Sequence, residues 1–563
     1  MANNTYDAIV VGTGVSGGWA AKELTEKGLK TLVLDRGPMV KHGEYPTAMK
    51  APWELPYADE PTQEDIRRHP VHTRPSFYGI TQSTKHWFVD DLDNPYVETK
   101  PFDWFRGYHV GGRSLMWGRQ SYRFSEMDLE ANGKEGVGVD WPIRYADLAP
   151  WYDYVENFIG VSGSTEHLAQ LPDGQFLPPM ELNGVEKEFG GRIEDKFGRK
   201  LIIGRTANLS APLKHDQSPQ RGTCQYRNLC MRGCPFGGYF SSNSSTLPWA
   251  EKTGNLTIRP FSVVHSIIYD EKKGKAVGVR IIDANTKQTT DYFSRIIFMN
   301  ASALNTDLIL LNSKSNRFPN GLGNDNGLLG KYVAFQNYRG SVNGDVDGYQ
   351  DKYYYGRRTV ECMMTNFRNV YKHNMDFVGG YMAFMGAWRD RGAPEQSPET
   401  IGAAYKDAMS EAGSWHMYMY IQGETVPKAT NYVKLSDDKK DQWEIPLLEM
   451  NVDYDDNDER LLKDFLTQAS ETLETGGVKN IKQHDNHWAP GRDIHEMGGC
   501  RMGKDSKTSL LNGWNQFHNC KNVFVTDGAC MTSTGTQSPS ILYMALTARA
   551  ANYAVSELKK GNL

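Results

Sequence analysis

A strand, a glycine-rich turn, a helix and a second strand follow one another at the start of the chain. This unit constrains the fold more than any other feature. Residues 7–12 form a short apolar run, which is typical of a buried parallel strand. Residues 19–24 predict a helix that ends near Gly28, and residues 29–34 predict the second strand. A β-α-β unit of this kind predicts an α/β fold with a Rossmann-like parallel sheet.

The turn between this strand and helix has the G-x-G-x-x-G spacing of a dinucleotide-binding site. Gly12 permits a tight turn, Gly14 lets the backbone approach a pyrophosphate, and Gly17 lets the helix pack close to the sheet. Backbone N–H groups at the positive end of the helix would then bind the phosphates. Asp35, 18 residues after Gly17, is placed to bind ribose hydroxyls. The pattern predicts dinucleotide binding rather than a purely structural turn, and by itself it does not separate FAD from NAD.

The composition and the charge pattern exclude several other classes of protein. The chain has 563 residues, of which 39% are hydrophobic and 23% charged, as in globular proteins. Its 63 basic and 68 acidic residues are mixed along the chain, so we expect no nucleic-acid partner. We also expect no membrane-spanning helix, because long apolar runs are absent, and the first residues do not resemble a secretory signal.

Periodicity predicts the secondary structure of several later segments. Residues 40–105 are rich in Pro, Asp and aromatic residues and predict irregular loops, whereas residues 255–300 predict several short strands. Residues 415–420 alternate in a two-residue period that indicates a strand. Residues 457–475 predict an amphipathic helix, and residues 541–558 predict a last helix.

Further motifs extend the N-terminal pattern over essentially the whole chain. The first unit continues into Asp-Arg-Gly at 35–37, and a second glycine-rich segment lies at 110–118. Near the other end, His-Glu-Met-Gly-Gly-Cys-Arg-Met-Gly at 495–503 precedes segments at 522–529 and 537–540. In this order and spacing, the motifs resemble the glucose–methanol–choline (GMC) oxidoreductase family, and most of all its bacterial FAD-dependent sugar and glycoside dehydrogenases.

The resemblance implies two domains, of which one is discontinuous in sequence. The FAD-binding domain is expected at residues 1–125, 200–330 and 490–563. The substrate-binding domain, an α+β unit with a large antiparallel sheet, is expected at residues 126–199 and 331–489. The active site should lie where that sheet faces the flavin ring.

FAD is the cofactor that the resemblance implies, and many flavin contacts follow from the matched motifs. Val264 matches a position whose backbone pairs with the adenine. Some relatives attach the flavin covalently through a histidine at the position of Met116, so non-covalent FAD is expected unless His109 is used. The complete set of expected cofactor residues is Gly12, Gly14, Val15, Ser16, Gly17, Asp35, Arg36, Gly111, Gly112, Ser114, Met116, Val264, Asp527, Gly528 and Pro539.

Three polar residues match or flank the family's catalytic positions. His495 matches the catalytic histidine, and an imidazole is suited to accept a hydroxyl proton. A capping or core histidine is the alternative. Ser538 occupies the position of a second His or Asn, and its shorter side chain leaves that role open to Gln537. Serine would also suit a helix N-cap.

Cys224, Cys230 and Cys234 lie within eleven residues and end in a Cys-Pro pair. Thiolates at this density suit iron–sulfur clusters or zinc. The spacing resembles that of family dehydrogenases in which three cysteines hold a [3Fe–4S] cluster. Reduced cysteines without metal, or zinc with His215 as a fourth ligand, are the alternatives.

A cluster of this kind would make the protein a dehydrogenase that passes electrons to a cytochrome or quinone. The resemblance then implies a small helper subunit that carries the export signal and takes the chain to the periplasm. A cytoplasmic enzyme is the alternative location.

The resemblance implies a sugar or glycoside as the substrate, with a secondary alcohol oxidised and C3 as the specific hypothesis. The aromatic residues at 415–420 would either offer a surface for a sugar ring or pack within the sheet. An oxidase that uses oxygen, a non-redox lyase that retains FAD and a non-enzymatic electron-transfer subunit are the alternative functions.

Overall fold

The computed structural model describes residues 4–74, 79–214, 221–352, 358–391, 402–410 and 412–563. The helices in these ranges are α1 Val15–Glu26, α2 Gln63–Arg68, α3 Glu126–Glu135, α4 Tyr145–Ile159, α5 Gly184–Phe197, α6 Thr246–Glu251, α7 Ala303–Asn312, α8 Ala403–Ser410, α9 Asp456–Thr475 and α10 Ser540–Lys559. The strands are β1 Ala8–Val11, β2 Thr31–Leu34, β3 Val97–Glu98, β4 Val161–Ser162, β5 Phe176–Leu177, β6 Leu201–Ile203, β7 Leu256–Arg259, β8 Ser262–Asp270, β9 Lys275–Asp283, β10 Thr289–Phe293, β11 Ile296–Met299, β12 Lys331–Ala334, β13 Gly340–Val346, β14 Cys362–Met364, β15 Tyr381–Arg391, β16 Ala412–Gly423, β17 Tyr432–Lys440, β18 Pro446–Asn451, β19 Lys479–Asp485, β20 Met497–Gly499 and β21 Val523–Val525.

A five-stranded parallel sheet, in the order β21-β11-β1-β2-β7, confirms the predicted Rossmann-like unit. The central strand β1 is buried along its whole length, because helices cover both faces of a parallel sheet. Helix α1 packs against α6 and α10. The sheet combines strands from the start, the middle and the end of the chain.

A six-stranded antiparallel sheet, in the order β19-β13-β16-β15-β14-β6, forms the second main layer. Along β16, Trp415, Met417 and Met419 are buried against α5 and α9, as the two-residue alternation predicts. The intervening residues Tyr418 and Tyr420 face a large cavity. The expected fold class, α/β with an antiparallel α+β layer, is confirmed.

The predicted strands between residues 255 and 300 are confirmed as β7 to β11, and the two predicted C-terminal helices are α9 and α10. The prediction of irregular structure for residues 40–105 was wrong at helix α2 and at the other short elements in this range, such as strand β3. There Thr62 and Asp65 form a reciprocal capping box: the Asp65 N–H donates to Thr62 Oγ1 (3.1 Å), and the Thr62 N–H donates to Asp65 Oδ2 (2.9 Å). The domain limits given above stay a prediction. Across the ranges the structure describes, no helix combines the length and the apolar character needed to cross a membrane.

Candidate active site

A cavity of about 1020 Å³ runs from the carboxyl ends of β1 and β2 to the inner face of the six-stranded sheet. In open α/β sheets, ligands bind outside the carboxyl ends of the strands. The cavity therefore begins where the sequence predicts a dinucleotide and ends at the sheet that the family resemblance assigns to the substrate.

The glycine turn has the geometry that its spacing predicts. Gly12 has a φ of +99°, and a Cβ there would lie 2.2 Å from the Asn300 carbonyl oxygen. A Cβ on Gly17 would lie 2.1 Å from the Gly12 carbonyl oxygen. In contrast, no described atom lies within 4 Å of a Cβ on Gly14. The backbone at Gly14 is therefore open to the cavity.

The N-terminus of α1 also fits a phosphate. Val15 and Ser16 line the cavity, and among the described residues no side chain caps this helix and no acidic residue lies in its first turn. The free N–H groups therefore remain available to an anion, which the helix dipole favours. This uncapped helix end and the open backbone at Gly14 fit the pyrophosphate of FAD.

Asp35 and Arg36 follow β2 and line the same end of the cavity. The Asp35 carboxylate accepts hydrogen bonds from the Gly37 N–H (3.0 Å) and the Thr13 hydroxyl, and burial raises its pKa to about 6. The Arg36 guanidinium lies over the rings of Tyr108 (4.5 Å) and Trp443 (4.6 Å). These residues and the nearby Val264 form the wall expected around an adenosine.

The second glycine-rich segment covers the middle of the cavity. Gly112 and Ser114 line it. Gly111 instead packs on Asn243, where a Cβ would lie 1.8 Å from Oδ1, and Met116 is buried in an apolar cluster with neighbouring aromatic rings. Of the expected cofactor residues, Asp527 and Gly528 also line the cavity, whereas Pro539 precedes α10.

His109 is a histidine of this segment that does line the cavity. Its Nδ1 lies 3.3 Å from the Val110 carbonyl oxygen, and no described residue is bonded to its Nε2. Burial lowers its pKa to about 4, so the ring is neutral at ordinary pH.

His495 lies deep in the cavity, and a glutamine that the sequence did not reveal holds it. Its Nδ1 is 2.7 Å from Gln336 Oε1. The Gln336 amide donates to the carbonyl oxygens of Gly535 (2.8 Å) and Gln537 (3.0 Å), so Oε1 is the atom that faces the histidine. This network assigns the proton to Nδ1 and leaves the Nε2 lone pair free. Burial and the Arg113 guanidinium lower the pKa of His495 to about 3.

Ser538 lines the cavity, and Gln422 Nε2 donates to its hydroxyl at 3.4 Å. Gln537 points elsewhere: its amide donates to Asp128 Oδ2 (3.0 Å) and to the Gln170 carbonyl oxygen (3.1 Å). Helix α10 begins after Pro539 with no side-chain cap among the described residues, so the alternative role of Ser538 as a helix cap is wrong.

Arg113 and Glu496 are two further cavity residues that were not singled out from the sequence. They form an ion pair with 2.7 Å between Arg113 Nη2 and Glu496 Oε2. Glu496 follows His495 in the same motif, and this position was the only indication in the sequence that Glu496 belongs to the site. Gln336 and Gln422 lie outside every sequence motif, and only the tertiary structure brings them to the site.

The inner face of the six-stranded sheet forms the far wall of the cavity. On β15 and β16, Gly386 pairs with Tyr418 and Phe384 pairs with Tyr420. Glu361 lies beside the Gly386–Tyr418 pair, and the Tyr418 hydroxyl donates to Glu361 Oε1 at 3.3 Å. Burial raises the pKa of the Glu361 carboxyl.

The three clustered cysteines line a small cavity of about 30 Å³. The Cys224 sulfur accepts from the Tyr226 N–H (3.4 Å), and the Cys234 sulfur accepts from the Gly238 N–H (3.3 Å). A space of this size holds about two water molecules, which is smaller than a cluster of iron and sulfide. Within the described ranges, no group of three His, Cys, Asp or Glu side chains is placed to hold a metal ion. As arranged, the thiols do not fit a metal site, and His215 lies outside the described residues.

The parallel sheet with its open glycine turn, the long cavity and the buried neutral histidine define a dinucleotide-dependent oxidoreductase. The chain belongs to the GMC oxidoreductase family, whose N-terminal model matches residues 6–326 and whose C-terminal model matches residues 427–547. It is thus an enzyme of a family that binds FAD and acts on CH–OH groups. The expected family, fold class and enzyme class are confirmed.

Individual relatives cover nearly the whole chain. The 2-methyl-1,2-propanediol dehydrogenase of Mycolicibacterium austroafricanum is 26% identical, over 97% of this chain and 94% of its own. The fructose dehydrogenase large subunit of Gluconobacter japonicus is 25% identical over 100% of both chains. A solved structure of formate oxidase from Aspergillus oryzae, 14% identical, superposes with a TM-score of 0.62 over 99% of both chains. The similarity to the formate oxidase structure concerns the fold alone.

Proposed function

We propose that the protein is an FAD-dependent dehydrogenase that oxidises a secondary alcohol of a sugar or glycoside, with His495 as the general base. One observation carries the proposal: Gln336 fixes His495 as a neutral imidazole with a free Nε2 lone pair. His495 lines a cavity that continues to the glycine turn. The names of the sugar and diol dehydrogenases among the relatives support the same substrate class.

The chain's own residues supply binding, orientation and the proton acceptor. Gly14 and the N-terminus of α1 would hold the pyrophosphate of FAD, and Asp35 would hold its ribose. When bound, FAD supplies the hydride acceptor, its N5 atom. His495 Nε2 accepts the proton of the substrate hydroxyl, and Ser538, which lines the same cavity, would orient that hydroxyl by a hydrogen bond.

Anaerobic absorbance titration with methyl glucoside tests the proposal. Loss of the oxidised flavin band supports alcohol oxidation, and analysis of the product tests the hypothesis of C3. Hydrogen peroxide formed in air during turnover would favour the oxidase. A flavin that stays oxidised while product forms would favour the lyase. A His495→Ala variant with full function would favour an electron-transfer subunit.

We propose non-covalent FAD because Met116 is buried in an apolar cluster away from the cavity wall. Acid precipitation should release the flavin into the supernatant. Flavin retained in the pellet and lost in a His109→Ala variant would contradict this proposal, because His109 is a cavity-facing nucleophile.

Because Cys224, Cys230 and Cys234 do not fit a metal site as they are arranged, an iron–sulfur cluster there would require the loop to rearrange; it remains a proposal that rests on their spacing and on one observation. Tyr226 and Thr359 line both the cysteine cavity and the large cavity, so the two are adjacent. Anaerobically purified protein should contain about three irons per flavin if the cluster is of the [3Fe–4S] type. Cys230→Ser should lose this iron, whereas the matched control Cys520→Ser should keep it. Iron-free protein with the full flavin content would reject the cluster.

The expected small helper subunit, cytochrome acceptor and periplasmic location are proposals of the same kind. The name of the fructose dehydrogenase large subunit supports an assembly of several subunits. Fractionation of the native cells, followed by purification of the protein at its natural level, tests both the location and the partners. A single chain recovered from the cytoplasm would contradict them.

A further inference from the structure

The far wall of the cavity carries a half-buried carboxylate, Glu361, that the proposed reaction does not use. Glu361 precedes β14, in which Cys362 pairs with Met385, so Glu361 lies next to Gly386 across the sheet. Gly386 in turn pairs with Tyr418. Because Gly386 has no side chain, the Tyr418 hydroxyl reaches across it to the Glu361 carboxylate.

This row of the sheet is displaced along β16 from the row that contacts Ser538. Gln422, which contacts Ser538, is four residues beyond Tyr418 on the same face of β16. At the rise of a β-strand, four residues span about 13 Å. A second ring attached to a sugar that has a hydroxyl at His495 is long enough to reach this row.

The chemistry of the Glu361 site suits neutral hydroxyl groups. Tyr418 Oη and Gln120 Nε2 donate to the carboxylate at 3.3 and 3.4 Å, and Tyr420 also bonds to it. The two measured distances are at the long end for hydrogen bonds, so the carboxylate keeps acceptor capacity for a ligand.

We infer that Glu361 and Tyr418 form a distal subsite that binds the hydroxyls of a second sugar unit. The substrate is then a disaccharide or an extended glycoside rather than a free monosaccharide. This inference rests on the proposed function and narrows its substrate class. Glu361 acts here as a specificity residue, because it recognises a part of the substrate remote from the reacting carbon.

The test compares maltose, cellobiose, trehalose and sucrose with their component monosaccharides in the complete holoenzyme. At least one disaccharide should give a kcat/KM at least about tenfold above that of its monosaccharide. Glu361→Gln, which keeps the shape of the side chain, should lower kcat/KM for that disaccharide about 10- to 100-fold. The value for the monosaccharide should change less than about threefold. Glu251→Gln, at an exposed site on α6 away from the cavity, is the matched control.

Calorimetric binding of the same sugars to the His495→Ala holoenzyme separates the subsite from the redox proposal. If the flavin is never reduced but a disaccharide binds in a Glu361-dependent way, the subsite stands and the proposed reaction fails. If sugars reduce the flavin and Glu361→Gln and Tyr418→Phe lower both substrate classes equally or not at all, the subsite is refuted. It is also refuted if no disaccharide exceeds its monosaccharide in either measurement.

Discussion

Replacing Gln336 tests whether the structure orients His495 as a base. In Gln336→Leu, the acceptor 2.7 Å from Nδ1 is lost while the side-chain volume is nearly kept. A net hydrogen bond of about 0.5–1.5 kcal/mol then no longer favours the tautomer with its proton on Nδ1. This energy corresponds to about a 2- to 12-fold change in the population of the two tautomers.

Misorientation of the ring adds to the change in tautomer, so we expect kcat to fall about 10- to 100-fold. Direct removal of the base in His495→Ala should cost more, on the order of 10²- to 10⁴-fold. The assay is anaerobic, single-turnover reduction of the flavin by a saturating sugar, with the flavin content measured for every variant. KM should change little, because Gln336 contacts the base and the backbone.

A pH profile separates positioning from mere packing. The wild-type pKa of about 3 keeps His495 in its base form throughout the ordinary range, so its titration produces no acid limb above about pH 4. Gln336→Glu places a carboxylate beside Nδ1, which favours the imidazolium and raises the pKa of His495. Activity should then fall on the acid side at a higher pH than in the wild type. Unchanged single-turnover rates in Gln336→Leu, with full flavin loading, would refute the assignment.

Three further perturbations follow from the geometry. Gly14→Ala should weaken FAD binding at least about tenfold in a fluorescence titration and leave the stability of the apoprotein unchanged. Gly12→Ala, at a φ of +99°, should instead destabilise the apoprotein by at least about 2 kcal/mol. Asp35 has its pKa raised from 3.8 to about 6, so the native state binds more protons than the unfolded state and loses stability as pH rises through this window. Asp35→Asn should therefore stabilise the apoprotein at pH 7–8 by up to about 3 kcal/mol in urea unfolding, and equal stability at both ends of the window would contradict this. Met417→Ala removes a fully buried side chain and should cost about 2–5 kcal/mol in the same measurement.

The sequence predicted the dinucleotide end of the site well because its determinants are local. The turn geometry of Gly12, Gly14 and Gly17 depends on residues adjacent in the chain. The role of Gln336 was beyond prediction, because it contacts a residue 159 positions away. The same holds for Glu361, whose surroundings come from three separate strands.

Local patterns also misled where tertiary contacts decided the outcome. Helix α2 is only six residues long, so its capping box was a weaker signal than the Pro-rich composition around it. Gln537 stands beside Ser538 in the motif, yet its amide bonds to Asp128 behind the cavity wall. Sequence proximity did not reveal which of the two side chains faces the cavity.

The parallel sheet also affects how the protein is made. Ile9 pairs with Ile297, and the next strand, β21, begins at Val523. During synthesis, the N-terminal β-α-β unit therefore has no sheet neighbours until β11 and then β21 are made, and helix α10 covers α1 only after residues 540–559 are made. Because the pocket wall includes His495 and Asp527, the flavin is expected to enter only after these residues have been made and the wall has folded.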